Sequence, residues 1–294
     1  MLLKRSKMYA GLGLTASTIA AVRPLGRASS HSGTGPSAGF ASRRRQRCCV
    51  ASGVSRSARA SAKPTDRLLD VGAGAGTITV DLAGIVAEVT ATEIGSEGLE
   101  LTRSTVAARG VTNIELRVAD IHALPFDDAT FDVTHAHQVL QHVADPVQAL
   151  REMARVTRPG GIVAVRDSDY GGFTWWPRIA RLNTWLDLYR SIAFANGGEP
   201  DAGRRLLSWA HAAGLRDVVA TSSTWCYADP VSRAWWGGMW ADRMVDSAIA
   251  QQITTSGRAT QEDLRSLRDA WREWASDEDG WFSVPHGEII CRVR

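Results

Sequence analysis

The sequence predicts an α/β fold, a doubly wound parallel sheet with helices on both faces, and three observations carry that expectation. From Pro64 onwards, strand-length apolar runs alternate with helix-length segments, the pattern of parallel strands joined by crossover helices. The stretch Leu68-Leu69-Asp70-Val71-Gly72-Ala73-Gly74-Ala75-Gly76-Thr77 places three glycines at alternate positions between a short strand and a helix start. Glycine tolerates positive φ and has no Cβ to block a ligand, so such a turn lets backbone N–H groups approach a cofactor closely. Lastly, Asp70, Glu93 and Asp120 fall at the ends of three successive predicted strands, and ligands of α/β sheets bind at that carboxyl edge.

Taken in order, Leu68 to Val71 is the first strand and Ile78 to Ala83 the first helical turns. Val86 to Glu93 reads as a second strand ending in an acid, and Gly98 to Arg109 as a helix closed by Gly110. Ile114 to Ala119 is a third strand, and Phe131 to His135 a fourth, preceded by the turn-rich Pro125-Phe126-Asp127-Asp128. In Asp145-Pro146-Val147-Gln148 the Asp is an N-cap, Pro takes the first helical position and Gln the third, so a helix starts there and runs to about Thr157. Pro159-Gly160-Gly161 then turns into a fifth strand, Ile162 to Arg166. The second half is less regular, with helices expected at Arg178 to Ala195, Gly203 to Ala213, Pro230 to Gln251 and Thr260 to Ala275, and strands at Val218 to Tyr227 and Phe282 to Val293. All 11 Trp lie at position 175 or later. Trp235, Trp236, Trp240, Trp271 and Trp274 fall in helical stretches and are expected mainly as packing, with others left to line a pocket for flat or cationic ligands.

Charge divides the 294 residues into unlike pieces. Every one of the 31 acids lies at Asp66 or later, whereas 12 of the 34 Lys and Arg lie in the first 65 residues. The remainder holds 22 Lys and Arg against 31 acids, or −9, so the net +3 describes neither part. That acidic balance argues against a nucleic-acid partner for the folded part. Residues 1–63 are expected to be a disordered basic leader. Met8 to Val22 carries no charge but is too short for a transmembrane helix, so no stable membrane insertion is expected. Three readings of this leader stay open. An acid-free, Arg- and Ser-rich segment resembles a mitochondrial transit peptide, and a basic arm can contact nucleic acid or lipid. In the third, it is an unselected sequence from a misassigned start, since a chain with 22 arginines and no lysine after Lys63 points to GC-rich coding. Residues 64–170 are expected to form a cofactor-binding core and 171–294 an acceptor and lid half of the same domain. Cys48, Cys49, Cys226 and Cys291 have neither metal-ligand spacing nor a disulfide framework, which favours a reducing, cytoplasmic home, or the mitochondrial matrix if the leader is a transit peptide.

Spacing sorts the cofactor. The dinucleotide fingerprint Gly-x-Gly-x-x-Gly would put its third glycine at position 77, which here is Thr. Glu93, 21 residues after Gly72, suits a ribose in either class, while Asp120 can accept from an adenine amine with Ile121 against the ring. Asp-x-Gly-x-Gly-x-Gly instead resembles motif I of the class I S-adenosylmethionine-dependent methyltransferases. Residues 66 to 170 are similar to that core, nearest the ubiquinone and menaquinone biosynthesis group. Besides the glycine turn, the resemblance rests on Val118-Ala119-Asp120 with Leu124-Pro125-Phe126, Phe131-Asp132-Val133, Leu140-Gln141-His142 and Arg155-Val156-Thr157-Arg158-Pro159-Gly160-Gly161. It implies a Rossmann-like seven-stranded sheet with an antiparallel last strand and a helical insert. It also implies S-adenosylmethionine contacts at Asp70, Gly72, Ala73, Gly74, Gly76, Thr77, Glu93, Ile94, Asp120 and Ile121, plus His137 and Gln138 after the fourth strand. The acceptor half is covered poorly, and the helices that family members carry ahead of motif I are replaced by the basic leader.

Methyl transfer needs an acceptor held in line with the methyl group, within about 3–3.5 Å, and a phenol or enol also needs a proton partner. Candidates for that role are His142, Asp167, Asp169 and Tyr170, with His137 beside them. His135 and His137 alternate like metal ligands but lack a third at useful spacing, so no metal is expected. The expected function is therefore methyl transfer to a small-molecule acceptor, a phenol- or quinol-like ring among the options. A homodimer through the Trp-rich insert is a further expectation. The alternatives are an NAD(P)-dependent oxidoreductase and a catalytically impaired cofactor-binding relic without the N-terminal cap.

Overall fold

The computed structural model describes residues 62–294, and the leader expected over residues 1–63 lies almost wholly outside them. The strands are β1 (Arg67–Val71), β2 (Glu88–Glu93), β3 (Ile114–Val118), β4 (Phe131–His137), β5 (Thr157–Ser168), β6 (Thr174–Trp176), β7 (Asp217–Tyr227) and β8 (Trp281–Arg292). The helices are α1 (Thr77–Ala83), α2 (Ser96–Arg109), α3 (Pro146–Val156), α4 (Ala180–Ala195), α5 (Ala202–Ala212), α6 (Pro230–Arg243), α7 (Ala248–Thr255) and α8 (Gln261–Ser276).

These strands make one sheet. It runs β3-β2-β1-β4-β5-β8, with β7 along the other side of β8. From β3 to β5 all pairings are parallel. β8 is antiparallel to β5 and to β7, as expected for the last strand. The unexpected eighth strand is β6, whose three residues pair with β8 at Trp281 to Ser283, beyond the end of β5. Side chains alternate across a strand, so Leu68, Val133, Ile162 and Ala164 share one face with α1, while Leu69, Val163, Val165 and Ile289 share the other with α3 and α5.

Local chemistry sets the boundaries. Gly110 ends α2 in the left-handed conformation at φ 63°, where glycine carries no steric cost. Asp145 caps α3, its Oδ1 accepting from Gln148 N at 2.9 Å, with Pro146 at the first position. Pro159-Gly160-Gly161 is not a turn ahead of β5 but a bulge inside it, where the register on β4 shifts between Phe131 and Val133. The single helix expected at Pro230 to Gln251 is two, because Ser247 adopts extended backbone and its side chain accepts from Ala250 N to start α7. A second core of 24 buried residues joins α4, α6, α7 and α8 to the ends of β7 and β8. Trp185, Trp240, Trp271 and Trp274 are all fully enclosed in it, so the helical tryptophans pack inward as expected.

Candidate active site

Because β1 enters the glycine turn edge-on to β2 and β4, the turn is fixed from both sides. Gly72, Gly74 and Gly76 all have positive φ, at 70°, 58° and 75°. A Cβ at Gly72 would lie 2.5 Å from Val139 Cγ2, and one at Gly76 would lie 2.8 Å from Thr102 Cγ2, so both need glycine for contact as well as conformation. The N–H groups of Gly72 and Ala73 donate to Thr92 O. Thr102 Oγ1 donates to Gly74 O at 2.7 Å, and Thr77 opens α1. Glu93 Oε1 accepts from Gly74 N at 2.5 Å. Burial pushes the Glu93 carboxyl above its ordinary range, opposed by the N–H donors of Gly74 and Ile94.

Asp70 has a different place from the one expected. It is buried, its Oδ2 accepting from Thr79 Oγ1 at 2.6 Å and its Oδ1 paired with His135 Nδ1 at 2.8 Å. Both oxygens are engaged beneath the turn, so Asp70 braces the turn and presents no oxygen to a ligand. His135 is thereby accounted for as its partner, and among the described residues no three His, Cys, Asp or Glu gather as a metal site.

Further along the edge, Ile94 is 42% exposed, an apolar surface left open at the end of β2, while Ile121 is buried. Asp120 is exposed and its Oδ1 accepts from His122 N and pairs with His122 Nδ1. After β4, Gln138 takes φ 56°, an arrangement that costs a non-glycine residue about 1–3 kcal/mol and concentrates at functional sites. Its N–H donates to Arg166 O at 2.7 Å and its side-chain amide donates to Ser168 Oγ at 2.7 Å.

The proton-partner candidates scatter. Tyr170 is enclosed between Phe173 and Tyr189, with ring centroids at 4.3 and 4.4 Å, and burial pushes its hydroxyl far above the usual phenol range; it is a core residue, out of an acceptor's reach. Asp169 is clamped bidentately by Arg204 at 2.7 and 2.6 Å. Desolvation pulls His142 down to about 4, so its imidazole is neutral at pH 7. Asp167 is fully buried on the α3 and α5 face, where Oδ1 accepts from Gln141 N at 3.1 Å and Oδ2 has no partner among the described residues. Burial raises Asp167 to about 7. Asp167 and His142 meet only through Gln141, in the loop that carries Gln138.

Sequence reasoning missed a buried polar row on the opposite face. Register places Arg166 beside His137 on β4 and Glu288 on β8, and Ser168 beside His286. Arg166 Nε donates to Glu288 Oε1 at 3.0 Å, and its guanidinium lies 4.7 Å from the Trp225 ring centroid. His286 Nδ1 donates to Val284 O at 2.9 Å, so its Nε2 accepts, with Gln138 Nε2 at 3.1 Å and Ser168 Oγ at 3.2 Å. Burial and the Arg166 charge hold His137 and His286 well below the usual imidazole range, and His137 Nδ1 has no partner among the described residues. Since Val71 pairs with Ala136, the next residues, Gly72 and His137, set this row against the glycine turn. The available signal was an Arg, a His and a Glu at period two inside otherwise apolar strands.

Comparisons with known proteins bear on the family and the fold. Residues 69–165 match the model of the methyltransferase domain family. An uncharacterized methyltransferase of Schizosaccharomyces pombe is 34% identical over 240 residues, covering 78% of this chain and 85% of that protein. A ubiquinone/menaquinone biosynthesis C-methyltransferase of Bdellovibrio bacteriovorus is 39% identical over 106 residues, 35% of this chain and 45% of that one. Among solved structures, the YcgJ protein of Bacillus subtilis superposes with a TM-score of 0.53 at 21% identity, over 81% of this chain and 96% of that one, which bears on the fold. The chain belongs to the methyltransferase family. The nicotinamide alternative finds no support in these relatives.

Proposed function

We propose that this chain binds S-adenosylmethionine at the Gly72–Gly76 turn and methylates a small phenol- or quinol-like acceptor. The observation that carries the reading is the turn itself, three left-handed glycines tied to Glu93 and Thr102 beside the strained Gln138. The residues suit the group. The N–H groups of Gly72, Ala73, Gly74 and Gly76 are held within the turn and its neighbours, so the Cβ-free backbone from Gly72 to Thr77 would meet its amino-acid end by close approach, with Glu93 at its ribose and the exposed Ile94 with Ile121 and Asp120 at its adenine. Bound there, S-adenosylmethionine supplies an electrophilic methyl group on a cationic sulfur.

The chain's own contribution is placement more than proton transfer. His137 and Gln138 stand where the Arg166 row meets the turn, and an acceptor ring would be held there for in-line attack. A His137 imidazole kept neutral by burial hydrogen-bonds an acceptor oxygen without competing for its proton. Asp167 acts at one remove, gripping the Gln141 end of the loop that sets Gln138. That the Bdellovibrio relative is a C-methyltransferase of ubiquinone and menaquinone biosynthesis supports a ring of this class. No helix among the described residues is long and apolar enough to cross a membrane.

The test is transfer of a labelled methyl group from S-adenosylmethionine to a panel of phenols, quinols and amines. Label on a phenol or quinol, with S-adenosylhomocysteine as the second product, is expected. Label confined to amines would contradict the acceptor class.

A further inference from the structure

We propose that two copies of this chain pair edge to edge along β7, joining their sheets into one across a two-fold axis. The two edges of the sheet are built differently. At one end, β3 has five residues and carries Glu115 and Arg117, ion-paired at 2.8 Å; a short, charged edge resists pairing with another chain. At the other end, β7 runs for eleven residues. From Val218 to Tyr227 it has no charge, no proline and no glycine. Its one charged residue, Asp217, stands at the start and is held by Arg294 at 2.8 and 3.0 Å.

The inner side of β7 is paired with β8 along its whole length, Asp217 to Tyr227, and no strand among the described residues pairs its outer side. Four successive residues, Val219, Ala220, Thr221 and Ser222, are exposed, Val219 to 64%. A row of unpaired backbone donors and acceptors flanked by β-branched and small neutral side chains is a template for another strand.

The strand suits a second copy of itself. A two-fold axis normal to the sheet through Thr221 keeps every side chain on its own face. It sets Thr221 opposite Thr221, Ala220 opposite Ser222 and Val219 opposite Ser223 of the other copy, with no like charges opposed. Facing threonines are a favourable cross-strand pair. Asp217 falls opposite Trp225 rather than another acid. Beside the strand, a depression of about 540 Å³ is lined by Ile162, Val219 and Ile290 together with the charged Arg216, Asp217 and Arg292. Because the β3 edge is charged, pairing closes at two copies and does not run on into a fibre. The Trp-rich insert expected as the interface is less suited, since Trp236, Trp240, Trp271 and Trp274 point their rings into its own core.

Sedimentation velocity on the full chain at tens of micromolar, with Thr221→Lys, Val219→Glu and Trp176→Glu, tests this. Trp176 lies on the other exposed aromatic surface, beside Trp281. None of the three touches the glycine turn, so the outcome is independent of the methyltransferase reading. The expected result is a wild-type dimer whose unfolding midpoint rises with concentration, monomers for Thr221→Lys and Val219→Glu that still unfold cooperatively at a concentration-independent midpoint, and a dimer for Trp176→Glu. Amide exchange along β7 should slow as concentration rises. A monomeric wild type, a dimer that survives Thr221→Lys, or one lost only in Trp176→Glu would overturn the proposal.

Discussion

The sheet core and the helical core of this chain solve the packing problem in different ways. Between α1, α3, α5 and the sheet, burial rests on aliphatic residues such as Leu69, Val163, Leu150 and Leu82, with charged groups paired across strands, as Asp70 with His135 and Arg166 with Glu288, although His137 Nδ1 and Asp167 Oδ2 are left without a partner among the described residues. Between α4, α6 and α8, burial rests on indoles, with Trp185 at 4.6 Å from both Trp240 and Trp271. There the N–H groups of Trp185, Trp236, Trp240 and Trp271 have no partner among the described residues, while Trp274 Nε1 donates to Trp176 O at 3.0 Å. An unpaired buried donor costs about 1–3 kcal/mol, and four of them are tolerated because each ring removes so much apolar area from water. The difference teaches that the sheet side specifies geometry, whereas the helical side supplies bulk. β8 belongs to both, with Phe282 and Val284 in one core and Ile289 and Cys291 in the other.

The largest expected effect comes from breaking the indole core. Trp271→Ala removes a fully buried ring that meets Trp185, Trp240, Trp274 and Phe282, and should cost roughly 3–5 kcal/mol in denaturant unfolding. A loss under about 1 kcal/mol, the size of a surface change, would mean that the helical side does not depend on its rings.

A smaller effect sharpens the view of the sheet side as precisely set polar chemistry. Asp167 sits at about 7 in the folded chain, above an unfolded value of about 3.9. A raised carboxyl is stabilising in its protonated form, so its contribution is complete below about pH 4 and is lost as pH rises through 7. Asp167→Asn, which mimics the protonated form, should therefore match wild type at pH 4 and exceed it by a margin that grows up to pH 8. The ceiling is about 4 kcal/mol, with 1–2 kcal/mol expected after relaxation. Thermal midpoints at the two pH values read the difference, and a constant offset would contradict the assignment.

The smallest effect lies at a helix end. Thr260 and Asp263 form a reciprocal capping box at the start of α8, with Asp263 N donating to Thr260 Oγ1 at 3.1 Å. Thr260→Ala should cost about 1 kcal/mol and leave cofactor binding untouched. A change in binding would show that α8 is coupled to the glycine turn.

Much of the sheet side was legible because its signals are local. The glycine turn, the Asp145 cap and Gly110 each act within a few residues, and all stand where the sequence put them. The elements that were misread depend on distant partners. β6 is three residues long and exists only because Trp281 to Ser283 pair with it. The break between α6 and α7 hangs on one serine hydroxyl. Asp70 looked like a ligand contact because it ends a strand at the sheet's carboxyl edge and stands at the acid of motif I, but its partners, Thr79 and His135, come from α1 and β4. The Arg166 row escaped notice for the same reason: no periodicity within one strand tells which residue of the next strand it will meet.

The central claim, that the turn after β1 holds S-adenosylmethionine, is tested most directly by calorimetric titration of the full chain with S-adenosylhomocysteine, repeated on the Gly74→Val, Glu93→Ala double variant. Saturable binding by the wild type, lost in a variant that remains folded, is the predicted result. Equal binding by both proteins would place the cofactor elsewhere, and no binding by a folded wild type would contradict the claim that this chain works as a methyltransferase.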